Sequence, residues 1–172
     1  IAVAHHLDDQ IETILLNLSK GTGIQGLAGM QAKNEFIIRP MLEISRQQII
    51  NYASENNIEY REDSSNASDD YQRNKLRHHV LPILKEINPD LSNTMRAFIE
   101  RMNDYQVLNA EYIEQIKKKC YTEKEGIVEI KLGFIKSHSA GKTILYHLTK
   151  NMGIHADMLQ KIIAVKESGK QF

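Results

Sequence analysis

The segment AHHLDDQIETILLNL (residues 4–18) decides the fold, because it joins a strand-like stretch to an amphipathic helix. Its apolar residues recur at spacings of three and four, which predicts a helix with one buried face that ends near residues 20–21. The preceding IAVA (residues 1–4) is typical of a buried strand. A strand that passes directly into a helix is thus the first predicted unit.

The same alternation continues beyond this unit. EFIIRPML (residues 35–42) predicts a second strand, which Pro40 ends because proline cannot donate to a strand ladder. Ser45 and Gln48 form a capping-box pattern that predicts a helix ending near Asn57, and IEYRE (residues 58–62) predicts a short third strand. Strands that alternate with helices indicate an α/β fold with a partial parallel sheet.

The second half of the chain has a different, mainly helical pattern. DSSNASDD (residues 63–70) predicts a turn, and YQRNKLRHHVL (residues 71–81) predicts a helix that stops at Pro82. From Asn88, with Pro89 at the first helical position, an apolar stripe predicts a helix of nearly 30 residues that links two domains. IVEIKL (residues 127–132) then predicts a strand, followed by two helices separated at Gly153. The predicted domains are residues 1–86, 87–122 and 123–172.

Composition restricts the class of protein. The only cysteine, Cys120, excludes an internal disulfide framework and a multi-cysteine zinc site, and no apolar run approaches the roughly 20 residues that span a bilayer. A reducing, cytoplasmic setting fits best, with no membrane partner. The formal net charge is zero, but residues 1–72 are acidic and residues 73–172 are basic. The basic half permits contact with nucleic acid, although ordinary solvated helix faces explain it as well.

Two glycine motifs do not predict nucleotide binding. GTGIQG (residues 21–26) matches the dinucleotide fingerprint in letters, but it follows a helix, whereas the fingerprint follows a strand. GKT (residues 141–143) lacks the glycine that a P-loop places five positions earlier. We interpret the first as a helix end followed by a loop.

The carboxylates at the start of the first helix are the main candidate site. Asp8 and Asp9 lie at a helix N-terminus, whose dipole tolerates a carboxylate, and Glu12 shares a face with Asp9. Carboxylates held together repel each other unless a cation lies between them, so the pair predicts a site for a metal ion or an ammonium group. The alternative is that the acids only interact with the dipole while His5 and His6 pack at the strand end.

A second candidate group lies on the helix before Pro82. Arg73 and Arg77 are four residues apart on one face, with Asn74 beside them. Two arginines on one face suit a phosphate or a carboxylate. Alternatively, they pair at the surface with Asp69, Asp70 or Glu62. Arg39, at a strand end, is a weaker candidate.

Five motifs in order carry a resemblance to a known family: AHHLDDQIET, GTGIQGLAGM, IIRPML, EDSSN and RNKLRHHVLP. From residue 1 to Pro82 the chain resembles the tRNA(Ile)-lysidine synthetase family of the N-type ATP pyrophosphatase group. The resemblance implies a Rossmann-like, adenine nucleotide alpha hydrolase-like fold. Residues 1–86 would be the C-terminal part of the catalytic domain, and residues 123–172 a truncated, α-rich tRNA-binding domain.

The resemblance also implies an activity. The family joins free lysine to C2 of the wobble cytidine, position 34, in a tRNA(Ile) with a CAU anticodon, so that the modified base decodes AUA. ATP, with Mg²⁺, first adenylates the C2 oxygen, and the lysine ε-amine then displaces AMP. The implied partners are therefore tRNA(Ile), free lysine and ATP.

Residue roles follow from the same resemblance, and no metal ligand is among them. Asp9 and Glu12 would bind the lysine ammonium, and together with Arg77 they would be the catalytic residues. The expected ATP and phosphate contacts are His5, His6, Asp8, Arg73, Asn74 and Arg77. The expected tRNA contacts are Arg39, Lys117, Lys118 and Lys119.

One motif of the family is absent from these 172 residues: the phosphate-binding S-G-G-x-D-S loop that precedes the AHH motif. We therefore expect an interior fragment that is inactive alone. Two other functions stay open at this point. A metal-dependent phosphohydrolase would use His5, His6, Asp8 and Asp9 as ligands, and a non-catalytic RNA-binding module would use the basic half and its tyrosines. The long apolar-striped helix also permits a homodimer.

Overall fold

A computed structural model describes residues 1–61, 72–154 and 156–164 of the chain. Its elements, in chain order, are α1 (Leu7–Ser19), α2 (Ile24–Leu27), β1 (Lys33–Asn34), β2 (Ile37–Ile38), α3 (Arg46–Glu55), α4 (Gln72–Lys75), a π-helical turn (Leu76–Val80), α5 (Leu81–Ile87), α6 (Leu91–Cys120), β3 (Tyr121–Lys124), β4 (Ile127–Ile130), α7 (Leu132–Ser137), α8 (Gly141–Thr149) and α9 (Ala156–Ala164). The chain divides into two compact units, Ile1–Gln106 and Val107–Phe172. The three predicted domains, 1–86, 87–122 and 123–172, stay a prediction.

Helix α1 forms as its sequence predicts. A reciprocal capping box opens it, in which the His6 side chain accepts from the Asp9 amide and the Asp9 carboxylate accepts from the His6 amide. Leu7 and Ile11 are buried and form a core cluster with Leu81 and Leu91. The buried face of α1 is therefore fixed against α5 and the start of α6, and its first turns are held at one place in the unit.

The predicted parallel sheet is not confirmed in the described residues. IAVA forms no strand and makes one parallel bridge, between Ala2 and Ile38. The predicted strand at 35–42 is reduced to β2, which pairs antiparallel with β1 as a short hairpin. Residues 58–61 are outside any strand, and the predicted turn at 63–70 lies outside the described residues. A parallel sheet needs strands that pair along their length. In the part of the chain that is described, Ile38 has only a single parallel bridge to Ala2 and the two-residue pairing of β2 with β1.

The expected stop at Pro82 is wrong, because the helical path continues through α5. Pro82 lies in the first turn of α5, where a missing N–H leaves no hydrogen bond unmade. The π-helical turn immediately before it already interrupts the regular hydrogen-bond pattern. Proline therefore begins a new helical segment here, and the residues beyond it return to the neighbourhood of α1.

Two further helices confirm their sequence signals. Ser45 and Gln48 form the predicted capping box at the start of α3, with both reciprocal hydrogen bonds present. Helix α6 runs for 30 residues and begins at Leu91, two residues after the predicted first position at Pro89. Its role as a link between domains stays a prediction. No helix in the described ranges is both long and apolar enough to cross a membrane.

The second unit has a small core of its own, built from α6, α7, α8 and α9. Strand β4 is two residues shorter than predicted, because Leu132 begins α7, and its antiparallel partner β3 was not predicted. Among the residues that the structure describes, three helices, α7, α8 and α9, follow β4 instead of the predicted two. Gly153 separates α8 from α9, as expected, with a φ of +70° that favours glycine. Cys120 is buried in this core, and burial raises the pKa of its thiol. The core residues are Ile116, Cys120, Ile135, Ile144, Leu145, Leu148 and Leu159.

Candidate functional site

The first turns of α1 carry the candidate site in the first unit. We call Asp8, Asp9 and Glu12 the acidic cluster. Glu12 is fully buried, and Asp8 is 6% exposed. Buried carboxylates are stable only when they are paired or hydrogen-bonded, and each of the three has a cationic partner from a later part of the chain: Arg77, Arg73 or Lys85.

Arg77 is the cation between Asp9 and Glu12. Its Nε donates to Oε1 of Glu12 at 2.7 Å and its Nη2 donates to Oε2 of Glu12 at 2.9 Å. The same Nη2 donates to Oδ1 of Asp9 at 3.2 Å. The hydrogen bonds to Glu12 raise the pKa of Arg77, burial opposes this, and the charges of Glu12, Asp9 and Asp8 raise it further. Arg77 therefore stays charged, and its planar fork matches the carboxylate.

Arg73 approaches the Glu12 carboxylate from one turn earlier. Its Nη2 donates to Oγ1 of Thr13 at 2.6 Å and lies 3.5 Å from the carbonyl oxygen of Asp9. Its Nε lies 3.7 Å from Oε2 of Glu12, which is an ion pair but too long for a good hydrogen bond. This buried Nε has no acceptor among the described residues. An incoming anion oxygen would supply one.

Asp8 joins three elements. Its Oδ1 accepts from Nζ of Lys85 in α5 at 2.8 Å, and its Oδ2 accepts from the backbone amide of Arg46 at the start of α3 at 2.8 Å. Burial raises the pKa of Asp8, but the Arg46 amide, the Lys85 ammonium and the nearby His6 lower it by more, so the pKa lies below its usual value. Asp8 is therefore held as a carboxylate.

Replacing Asp8 by asparagine is expected to lower the free energy of unfolding at pH 7 by about 1–2 kcal/mol, because the charge-assisted bonds are lost and Lys85 is partly screened by solvent. A lowered pKa in the folded state stabilises the protein above the unfolded-state pKa of 3.8, and this stabilisation is lost as the pH falls below that value. Urea unfolding between pH 7 and pH 2.5 measures the difference.

Asp104→Asn is the matched control, because Asp104 is exposed on α6 and has no ion pair in the described part of the chain. Its stability should follow that of the unmodified protein at every pH. A difference between Asp8→Asn and the unmodified protein that stays constant down to pH 2.5 would contradict the titration of Asp8.

The remaining predicted site residues are placed as follows. His5 accepts from Nε of Arg39 at 3.1 Å, and Nη1 of Arg39 donates to the carbonyl of Gln31, so Arg39 braces the base of the β1–β2 hairpin. Asn74 is buried in α4. In the second unit, Nζ of Lys117 lies 4.7 Å from the centre of the Tyr121 ring, while Lys118 and Lys119 are exposed.

These contacts do not favour the metal-dependent phosphohydrolase. Asp8 and Asp9 accept from donors of the chain itself, His5 accepts from Arg39, and His6 caps α1. Within the described residues, no group of three or more His, Cys, Asp or Glu side chains is placed to hold a metal ion.

Sequence reasoning found the acidic cluster and both arginines, but it missed Lys85 and the Arg46 amide. Lys85 follows Pro82 by three residues, and proline at a helix start was the signal that could have placed it on a helix. A backbone amide has no sequence signal.

A pocket of about 250 Å³ lies beside these groups, with Glu12, Arg77 and Lys85 in its wall and apolar contact from Ile50 and Leu81. It presents both signs of charge next to apolar surface, which suits a charged ligand with an aliphatic stem.

Comparisons with known proteins cover the whole chain. A family model for the PP-loop domain matches residues 1–84. A tRNA(Ile)-lysidine synthase of Parabacteroides distasonis is 39% identical over 173 residues, which cover 99% of this chain and 39% of that protein. The Bacteroides thetaiotaomicron protein of the same name is 36% identical over 174 residues, 100% of this chain and 40% of that protein. The Petrotoga mobilis protein of that name is 49% identical over 125 residues, 73% of this chain and 38% of that protein. The chain thus spans about two fifths of the length of these curated relatives.

Proposed function

Because this chain belongs to the tRNA(Ile)-lysidine synthetase family, we propose that it forms part of an ATP-dependent ligase that joins free lysine to a tRNA. The acceptor is C2 of the wobble cytidine, position 34, in tRNA(Ile) with a CAU anticodon. The observation that carries the proposal is the Arg77 fork on Asp9 and Glu12, inside the PP-loop match. It combines carboxylates for an ammonium with a guanidinium for a phosphate or carboxylate.

In this proposal the acidic cluster binds the lysine substrate. A carboxylate offers about four lone-pair positions, and Arg77 uses one at each oxygen of Glu12. Glu12 is fully buried, so the substrate ammonium reaches it from the pocket or after Arg77 moves. Asp9, whose side chain is partly exposed, then orients the amine and accepts the proton that must leave before attack.

The two arginines serve the anionic groups of the reaction. The buried Nε of Arg73 lacks an acceptor among the described residues, so a phosphate oxygen of ATP would complete its hydrogen bonding. Arg77 stabilises negative charge that develops on phosphate or belongs to the lysine carboxylate. His5, His6, Asp8 and Asn74 shape the nucleotide side of this region. Mg²⁺ would arrive with ATP, because it is usually bound through substrate phosphates and one or two carboxylates.

Two bonds form in sequence. The C2 oxygen of the cytidine attacks the α-phosphorus of ATP and releases pyrophosphate, and the lysine ε-nitrogen then forms a bond to C2 while AMP leaves. Holding the amine against the activated carbon turns the second step into an effectively unimolecular reaction. The described residues contribute the orientation of the amine and the stabilisation of charge.

The same proposal includes the residues that contact tRNA, the cytoplasmic localisation and a possible homodimer. Lys118 and Lys119 are exposed and can reach phosphates, and Lys117 lies over Tyr121. Arg39 already donates to His5 and Gln31, so it would contact tRNA through its other N–H groups. We place the enzyme in the cytoplasm, where its tRNA is found, and consider a homodimer through α6 compatible with its exposed apolar stripe.

The activity is tested in a chimaera in which this chain replaces the aligned segment of the Parabacteroides distasonis relative. We expect the chimaera to incorporate labelled lysine into a tRNA(Ile) transcript with a CAU anticodon, and to do so only with ATP. The unmodified relative is the positive control, and a transcript with a changed wobble base is the negative one. A folded chimaera that binds the transcript but transfers no lysine, beside an active relative, would favour the RNA-binding module.

A further inference from the structure

We propose that Lys85 is a positioning residue of this site. By binding Asp8 it ties the first turn of α1 to α5, and so keeps Asp9 and Glu12 in register with the Arg77 guanidinium. The catalytic meaning of this role rests on the proposed function, whereas the structural coupling does not.

The contacts of Asp8 make it a fixed point between three helices. One carboxylate oxygen binds Lys85 of α5, and the other binds the first amide of α3, at Arg46. Asp8 is almost fully buried, while the Lys85 side chain is about half exposed. Removal of Lys85 would leave one oxygen of a buried carboxylate without its donor, and such a group moves toward water or another donor.

Any movement of Asp8 is passed to the site, because Asp9 is the next residue and Glu12 lies one turn further along the same face. Asp9 accepts from the His6 amide with one oxygen and from Arg77 with the other. Glu12 has no solvent to compensate for a misaligned hydrogen bond. A small rotation of the first turn would therefore disturb two hydrogen-bonded pairs together.

The position of Lys85 on the chain explains why a second tie is needed. Arg77 lies in the π-helical turn, and Lys85 lies eight residues later in the regular helix α5. A π-helical turn has a wider, less common hydrogen-bond pattern than an α-helix. Both residues bind the first turns of α1: Arg77 does so from within the π-helical turn, and Lys85 from the regular helix that follows it. Lys85 thus anchors α1 to the regular segment, independently of the π-helical one.

The first experiment measures lysine transfer by the chimaera in three variants: Lys85→Met, which keeps an aliphatic stem, Lys85→Arg, which keeps a positive donor, and Lys75→Met as the matched control. Lys75 is exposed on α4 and has no ion pair within the described ranges. We expect Lys85→Met to reduce kcat/KM for lysine about tenfold, mainly through KM, while lysine-independent pyrophosphate release falls by a clearly smaller factor. Lys85→Arg should recover most of the loss. Equal kinetics for Lys85→Met and Lys75→Met would overturn the proposal.

The second experiment needs no activity, so it separates this inference from the proposed function. In the 172-residue chain without ligands, NMR follows the Nε–H of Arg77, which donates to Glu12. We expect Lys85→Met to shift this signal and to speed its hydrogen exchange about tenfold, while Lys75→Met leaves it unchanged. If the chimaera shows no lysine transfer, the NMR result alone decides whether Lys85 is coupled to Arg77. An Arg77 signal that is indifferent to Lys85 would refute the coupling.

Discussion

Replacement of Arg77 by methionine is expected to lower the free energy of unfolding by about 3–5 kcal/mol, which is the usual cost of removing one partner of a buried ion pair. Glu12 is fully buried and receives two hydrogen bonds from Arg77, so the variant leaves a charge without its main counter-ion. Urea unfolding followed by far-ultraviolet circular dichroism measures the change. Hydrogen exchange of the α1 amides assigns it to the first unit.

Two further variants separate the ion pair from general damage. Arg101→Met is the matched control, because Arg101 is exposed on α6 and pairs with no acid in the described part of the chain; it should stay within about 0.5 kcal/mol. Glu12→Met combined with Arg77→Met should be more stable than Arg77→Met alone, since no buried charge is left unpaired. A double variant that loses the sum of the two single losses would contradict this account.

The second large effect concerns lysine transfer. In the chimaera, Glu12→Gln and Asp9→Asn are each expected to reduce incorporation of lysine about 100-fold, because truncating one partner of a buried charge pair costs a few kcal/mol. An amide presents one acceptor and one donor group, so it cannot accept from both N–H groups of Arg77 or neutralise an ammonium. Labelled lysine and tRNA(Ile) measure transfer, while pyrophosphate release without lysine measures the adenylation step.

The test compares the loss in lysine transfer with the loss in pyrophosphate release. Pyrophosphate release should fall much less than lysine transfer if the acidic cluster binds the amine. Glu111→Gln, at an exposed position of α6, should change neither step. Equal losses in both steps would instead assign Asp9 and Glu12 to the nucleotide or to the folding of the domain, and the lysine-binding role would fall.

The longer helices α1, α3 and α6 were predictable because their signals are local. Three- and four-residue spacings with a reciprocal cap define α1, and the Ser45–Gln48 box defines α3, within the chain segment that forms each helix. The strands were not predictable, since a strand forms only by hydrogen bonding with another strand elsewhere in the chain. The β1–β2 hairpin also turns at Glu35 with a φ of +47°, without the Asn-Gly signal that marks such turns.

The candidate site shows the same difference between local signals and contacts that join distant parts of the chain. Asp9, Glu12, Arg73 and Arg77 were found because each pair repeats at helical spacing, and the structure brings the two pairs together. That the arginines bind these carboxylates could not be predicted, because the two pairs lie more than 60 residues apart in sequence. Lys85 was missed through one wrong step, the assumption that Pro82 ends the helix.

The burial of Cys120 makes the chain's only thiol a reporter of internal motion. Its side chain is 1% exposed, and burial holds its pKa above the usual value, so the reactive thiolate is scarce while the core of the second unit is closed. Alkylation then proceeds only when that core opens. When the core closes faster than the reagent reacts, the rate relative to that of a free thiol gives the open fraction of the core. Fluorophores can meanwhile be attached at engineered surface cysteines without removing the native one, so distances within each unit are accessible in an otherwise unaltered protein.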